Sequence, residues 1–169
     1  MINYYAVSGD QIKSVAKGSS DICWLHVETP PKEELKELSK AFQLPMDYLT
    51  AVLDDVENAR TEGLEQEVFK RPILLVVEFP FVTTSPSGYL QYQSYPMSVI
   101  ITPDKRLITV ANHRPPFFDK VVTSKIQQND MSPRMNIALL MLCEVVVRFN
   151  EHLEEINHQG RLLESHIHV

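Results

Sequence analysis

The sequence predicts an α/β domain built on a mixed, partly antiparallel sheet and followed by a long C-terminal helix. Three observations predict it. Short β-branched runs alternate with amphipathic helical patterns, two hairpin signals follow one another in mid-chain, and an apolar seam of 3.5-residue period begins after Ser132. With 169 residues, 44% hydrophobic and 22% charged, the composition is globular and the chain can bury a core without disulfide or metal staples.

A first strand is expected over Met1 to Val7 and a second over Gln11 to Ala16, with Ser8-Gly9-Asp10 turning the chain between them. Asp21 to Val27 (DICWLHV) reads as a third strand that carries Trp24 into the core. Thr29 then supplies a helix N-cap and Pro30 its first position. Leu35, Leu38 and Phe42 form the packing stripe of that helix, surrounded by Lys and Glu. Pro45 opens another helix, with Leu49, Val52, Leu53 and Val56 on its apolar side and Asp54, Asp55 and Glu57 at its exit.

Ile73 to Phe79 (ILLVVEF), bounded by Pro72 and Pro80, predicts a central strand covered on both faces. Ser85-Pro86-Ser87-Gly88 turns the chain into Tyr89 to Ile101, and Pro103-Asp104-Lys105 turns it again into Leu107 to Ala111, so this part of the sheet is antiparallel. Pro115-Pro116 opens a helix bearing Phe118, Val121, Val122 and Ile126. Ser132-Pro133 caps the last one. Its seam is Leu139, Leu142, Val146, Phe149, Leu153 and Ile156, then Gly160, Leu163 and Ile167. A helix that long, about 57 Å over 132–169, exceeds a globule whose radius of gyration is about 15 Å, so it should protrude. The expected units are a body over 1–131 and a stalk helix from 132 to 169.

Sixteen Lys and Arg against twenty-two Asp and Glu give a net charge of −6, the wrong sign for a nucleic-acid or anionic-lipid binder. Cys23 and Cys143 stand far apart in apolar contexts that look buried, which fits reduced thiols in the cytosol. No stretch approaches the roughly 18 uncharged apolar residues of a membrane span. With Gly only at 9, 18, 63, 88 and 160, no phosphate-cradling loop forms, and G-x-S-x-G, C-x-x-C and H-E-x-x-H are absent. No nucleophile with a base is found, and an enzyme is not expected. His166 and His168, two apart, point to different sides of a helix, and Glu154 with His158 has no third ligand, so both pairs read as surface. The acidic cluster Asp54, Asp55, Glu57 and Glu62 is of the oxygen type that Mg²⁺ accepts, although a solvated helix end is the commoner explanation.

The order of elements and the words within them resemble the cytoplasmic N-terminal region of the CorA family of magnesium and cobalt transport proteins. The carriers are Trp24-Leu25 before the Thr29-Pro30 helix, LPMDYLTAVLDDVENARTE at 44–62, SVIITPDKRLITVAN, and LCEVVVRFNEHLEEIN in the last helix. The resemblance implies an α/β/α layered domain on the cytoplasmic side of the cell membrane and a stalk that leads to two membrane helices. It also implies a homopentamer around a central ion path, and Mg²⁺ or Co²⁺ as the transported ion. The family's G-M-N signature is absent, so the chain is expected to end within the stalk of a longer protein.

Family members place a regulatory Mg²⁺ between neighbouring cytoplasmic domains. Aligned on Leu53 and Glu62, the carboxylate they use falls on Ala51, with Thr50 beside it, and its partner lies beyond Val169. Asp54 and Asp55, one turn on, are the candidate substitutes. The competing expectation is a freestanding interaction or adaptor domain that oligomerises through its terminal helix.

Overall fold

The computed structural model describes residues 1–167, so His168 and Val169, the last two positions of the expected stalk, lie outside the described residues. Among the described residues, seven strands form one mixed sheet: β1 Ile2–Ser8, β2 Gln11–Val15, β3 Trp24–Glu28, β4 Arg60–Glu62, β5 Ile73–Thr84, β6 Leu90–Ile101 and β7 Leu107–Ala111. Their order is β2-β1-β3-β7-β6-β5-β4. Only β3 and β7 run parallel, with His26 opposite Thr109 and Glu28 opposite Ala111. Helices α1 (Lys32–Phe42) and α2 (Met46–Thr50), with a 3-10 turn at Ala51–Leu53, cover one face. Helices α3 (Phe118–Thr123) and α4 (Pro133–Ile167) cover the other, which gives the three layers.

The hairpins form where the turn chemistry lies. Gly9 and Gly88 take φ of +63° and +84° in the β1–β2 and β5–β6 turns, and Lys105 takes the left-handed position, +67°, before β7. The strand at Ile73 is longer and less central than its sequence implies. It runs through Pro80 to Thr84 and is next to last in the sheet, because β4 pairs only with Leu74, Leu75 and Val76. Beyond them β5 has β6 as its only partner. Pro80 and, across the hairpin, Pro96 both fall where their strands have a free side, the one setting in which a strand accepts proline.

Helix α1 starts two residues later than its cap signal. Thr29 is held at φ +44°, its N–H bonded to Ala111 and its hydroxyl to the Asn112 carbonyl at 3.3 Å, so the end of β7 claims it and Pro31 becomes the N-cap. The Pro45 helix also ends early, leaving Leu53 and Val56 exposed instead of packed. Ile126 is buried but lies past the end of α3.

Between β4 and β5 the Gln66 side chain holds an irregular loop, donating to the carbonyls of Gly63 and Arg71 and accepting from the N–H groups of Lys70 and Arg71. Gly63 has φ +80°, and a Cβ there would lie 2.7 Å from the Pro72 carbonyl oxygen. Gly63→Ala is therefore expected to cost about 1–3 kcal/mol in a denaturant melt, from backbone strain and a clash that no side-chain rotation relieves.

Helix α4 is unbroken through Phe149 and through Gly160, and it runs 35 residues, about 52 Å. The backbone N–H groups of Met135 and Asn136 bond to the Ser132 carbonyl at its start. The face against the sheet is Ile137, Ala138, Met141 and Val145. His152, edge-on to Tyr92 at 5.5 Å, is the last residue that rests on the body, and roughly four turns continue past it.

Candidate functional site

The seam read from the sequence is not the face that holds the body. Leu139, Val146, Phe149, Leu153, Ile156, Leu163 and Ile167 are all exposed, at 36% to 78% of their surface, and only Leu142 is half-buried. The helix thus carries two apolar stripes, one spent on the sheet and one bare. A solvent-facing stripe of this length and period is the pattern of a helix that associates with others of its kind.

The acidic cluster does not converge. Asp54 Oδ1 accepts the Val56 N–H of its own turn at 3.0 Å, while Asp55 reaches across to His113 Nε2 at 2.9 Å. Glu57 and Glu62 both pair with Arg60, at 2.9 and 3.0 Å. Asp54 and Asp55 are exposed at the end of the 3-10 turn, whereas Ala51 is buried. Among the described residues, no group of three or more His, Cys, Asp or Glu side chains stands close enough to hold a metal ion.

Sequence reasoning missed what surrounds Asp55. Strand β7 stops at Ala111 while β6 continues, and His113 fills the gap, its ring stacked on Tyr95 at 3.7 Å between centroids. One imidazole therefore joins the 54–57 loop to the β5–β6 hairpin. Beside it, at the carboxyl ends of the parallel strands, Arg114 bridges Glu28 at 2.7 Å and Asp119 at 2.8 Å and lies over the Phe118 ring at 4.6 Å. The fully buried His26 completes the cluster, with Nε2 2.9 Å from Glu28 and its ring stacked on Phe118 at 4.0 Å. Burial holds its imidazole below the ordinary value, against the pull of Glu28. The hydrogen bond to His26, ahead of the nearby Arg114 charge, keeps the Glu28 carboxyl low. An H-x-E pair alternating on one strand face was the only signal of this cluster in the sequence.

Trp24 lies in the core as expected, fully buried and stacked on Tyr5 at 4.7 Å. Cys23 is half-buried, with burial pushing its thiol up toward the inert protonated form. Cys143, expected to be packed, is exposed because it lies on neither apolar stripe of α4. Glu154, His158 and His166 all lie on the exposed part of α4. No helix among the described residues is long and apolar enough to cross a membrane.

Comparison with solved structures gives the same architecture. The chain superposes on the complete structure of the CorA magnesium transporter from Methanocaldococcus jannaschii with a TM-score of 0.68 at 16% identity, covering 98% of this chain and 50% of that one. On the soluble domain of CorA from the same organism the TM-score is 0.65 at 17% identity, with 98% and 63% covered. The full-length CmaX protein gives 0.68 at 11% identity, with 97% and 50% covered. The likeness at these identities is one of fold, and this chain spans about half the length of the full-length proteins. No curated protein matches by sequence. The family model described as CorA-like Mg²⁺ transporter protein matches residues 19–169, nearly the whole chain, which therefore belongs to the CorA-like Mg²⁺ transporter family.

Proposed function

We propose that this chain is the cytoplasmic regulatory and assembly domain of a divalent-cation transporter that carries Mg²⁺ or Co²⁺ across the cell membrane as a homopentamer. Residues 1–131 are the body, and the helix from 132 onward is the stalk that leads to membrane segments in a longer protein. The observation that carries this reading is α4: one apolar stripe grips the sheet, and the other stays bare and runs on past the body. Its helix is aimed at an assembly rather than at a reaction, in keeping with a family of transporters rather than enzymes. The test is the complete reading frame. Two apolar runs beyond Val169 and a five-subunit mass by native mass spectrometry are expected. A stop soon after Val169 together with a dimer would favour a freestanding adaptor.

For regulation, Asp54 and Asp55 are proposed as a weak Mg²⁺ contact made largely through retained waters, in place of the carboxylate that Ala51 lacks. Mg²⁺ must then compete with His113 for Asp55, since the two are in contact. Calorimetry at matched ionic strength is expected to show millimolar binding that disappears in the Asp54→Asn, Asp55→Asn double variant and tightens in His113→Ala. An unchanged signal in the double variant would remove these aspartates from the mechanism.

A further inference from the structure

The β3 side chains that face α3 hold a hydrogen-bond chain whose protons are assigned by its donors. Trp24 Nε1–H can only donate, and it does so to Thr109 Oγ1 at 2.9 Å. The Thr109 hydroxyl has His26 Nδ1, at 2.7 Å, as the acceptor for its own proton. Nδ1 is therefore an acceptor, and the ring proton lies on Nε2, donating to Glu28 Oε1. Only the neutral ring satisfies all three groups.

We propose that His26 is a proton-operated latch on α3 and on the stalk-helix turns beside it: a proton on Nδ1 reverses the His26–Thr109 hydrogen bond, strands the threonine hydrogen, unseats Phe118 and loosens α3, which is tied to α4 through Lys120 and Glu144. Protonated Nδ1 donates toward Thr109 Oγ1, so the threonine hydrogen must swing away, and among the described residues Thr109 Oγ1 has no other side-chain partner. The new charge also lies against a ring that already carries the Arg114 guanidinium.

Phe118 is the seat of α3, boxed by His26, Trp24, Tyr5 and Arg114. From α3, Lys120 pairs with Glu144 of α4 at 2.7 Å. The charged or titratable groups around His26 are Glu28 on its own strand, Tyr5 on β1, the N-terminal ammonium, Arg114 in the β7–α3 loop and Asp119 on α3. Of these, Glu28 favours the imidazolium most directly, and it is already shared with Arg114.

The direction follows from linkage. Closed, the buried ring binds its proton less readily than the ordinary 6.5, and open, it returns to that value. The latch is thus at full strength above pH 6.5 and weakens as pH falls below it. Between pH 7.5 and 5.5 the open state gains by at most about tenfold.

Hydrogen exchange read by mass spectrometry on the 169-residue chain tests this, with rates corrected for intrinsic pH dependence. At pH 5.5 relative to 7.5, α3 and the α4 turns around Glu144 are expected to lose protection, by at most about tenfold, with β6 unchanged. His113→Gln should retain that loss, and His26→Gln should abolish it. Should His26→Gln fail to fold, ¹⁵N resonances of the wild-type imidazoles replace it, and His26 is expected as the Nε2–H form, becoming charged only in exchange with opened α3. The proposal is overturned if α3 protection does not change, if β6 loses protection equally, if folded His26→Gln keeps the pH dependence, or if His26 titrates near 6.5 with α3 closed.

Discussion

Replacing Trp24 with Ala is expected to lower the unfolding free energy by about 3–5 kcal/mol, the largest single effect on this chain's stability. The indole is fully buried against Tyr5 and Phe118, so truncation opens a cavity where β1, β3 and α3 meet. It also removes the donor to Thr109, leaving that buried hydroxyl to rearrange around His26. A two-state urea melt measures the loss. A change under about 1 kcal/mol would mean that the sheet's α3 face is not assembled around Trp24.

Changing Leu153 and Ile156 together to Asp is expected to do the reverse: leave the isolated chain stable to within about 0.5 kcal/mol, yet disperse the complete protein into monomers. Both side chains are exposed, at 56% and 43%, beyond the last contact of α4 with the body, so folding does not depend on them. In a pentamer they would face other stalks, and two buried carboxylates per subunit would stand in an apolar seam. Light scattering of the full-length variant in detergent reports the outcome. A persistent pentamer would put the subunit interface elsewhere.

The parts of the fold legible in the sequence are those governed by local chemistry. Gly88 and the Pro103–Lys105 turn place β5, β6 and β7, and Ser132-Pro133 starts α4 where it was expected. Features decided by distant partners were not legible. Thr29 is a good cap by residue type, but pairing to Ala111 holds it at a positive φ. The parallel β3–β7 pair joins segments more than seventy residues apart, and nothing in either one names the other. Pro80 reads as a strand end, yet it is tolerated because β4 is four residues short of reaching it. The stalk seam was visible as a period, but that the body grips a different stripe follows only from packing. For the candidate site, Asp54 and Asp55 were visible as charges, whereas the His113 and Arg60 contacts that divide the acidic cluster depend on tertiary structure.

Reconstitution of the complete reading frame into liposomes loaded with a Mg²⁺-sensitive dye tests the transporter assignment most directly. External Mg²⁺ is expected to enter these liposomes faster than protein-free ones, while liposomes given only the 169-residue chain remain as tight as the controls. Mg²⁺ and Co²⁺ entry indistinguishable from empty liposomes, with the full-length protein inserted and folded, would contradict it.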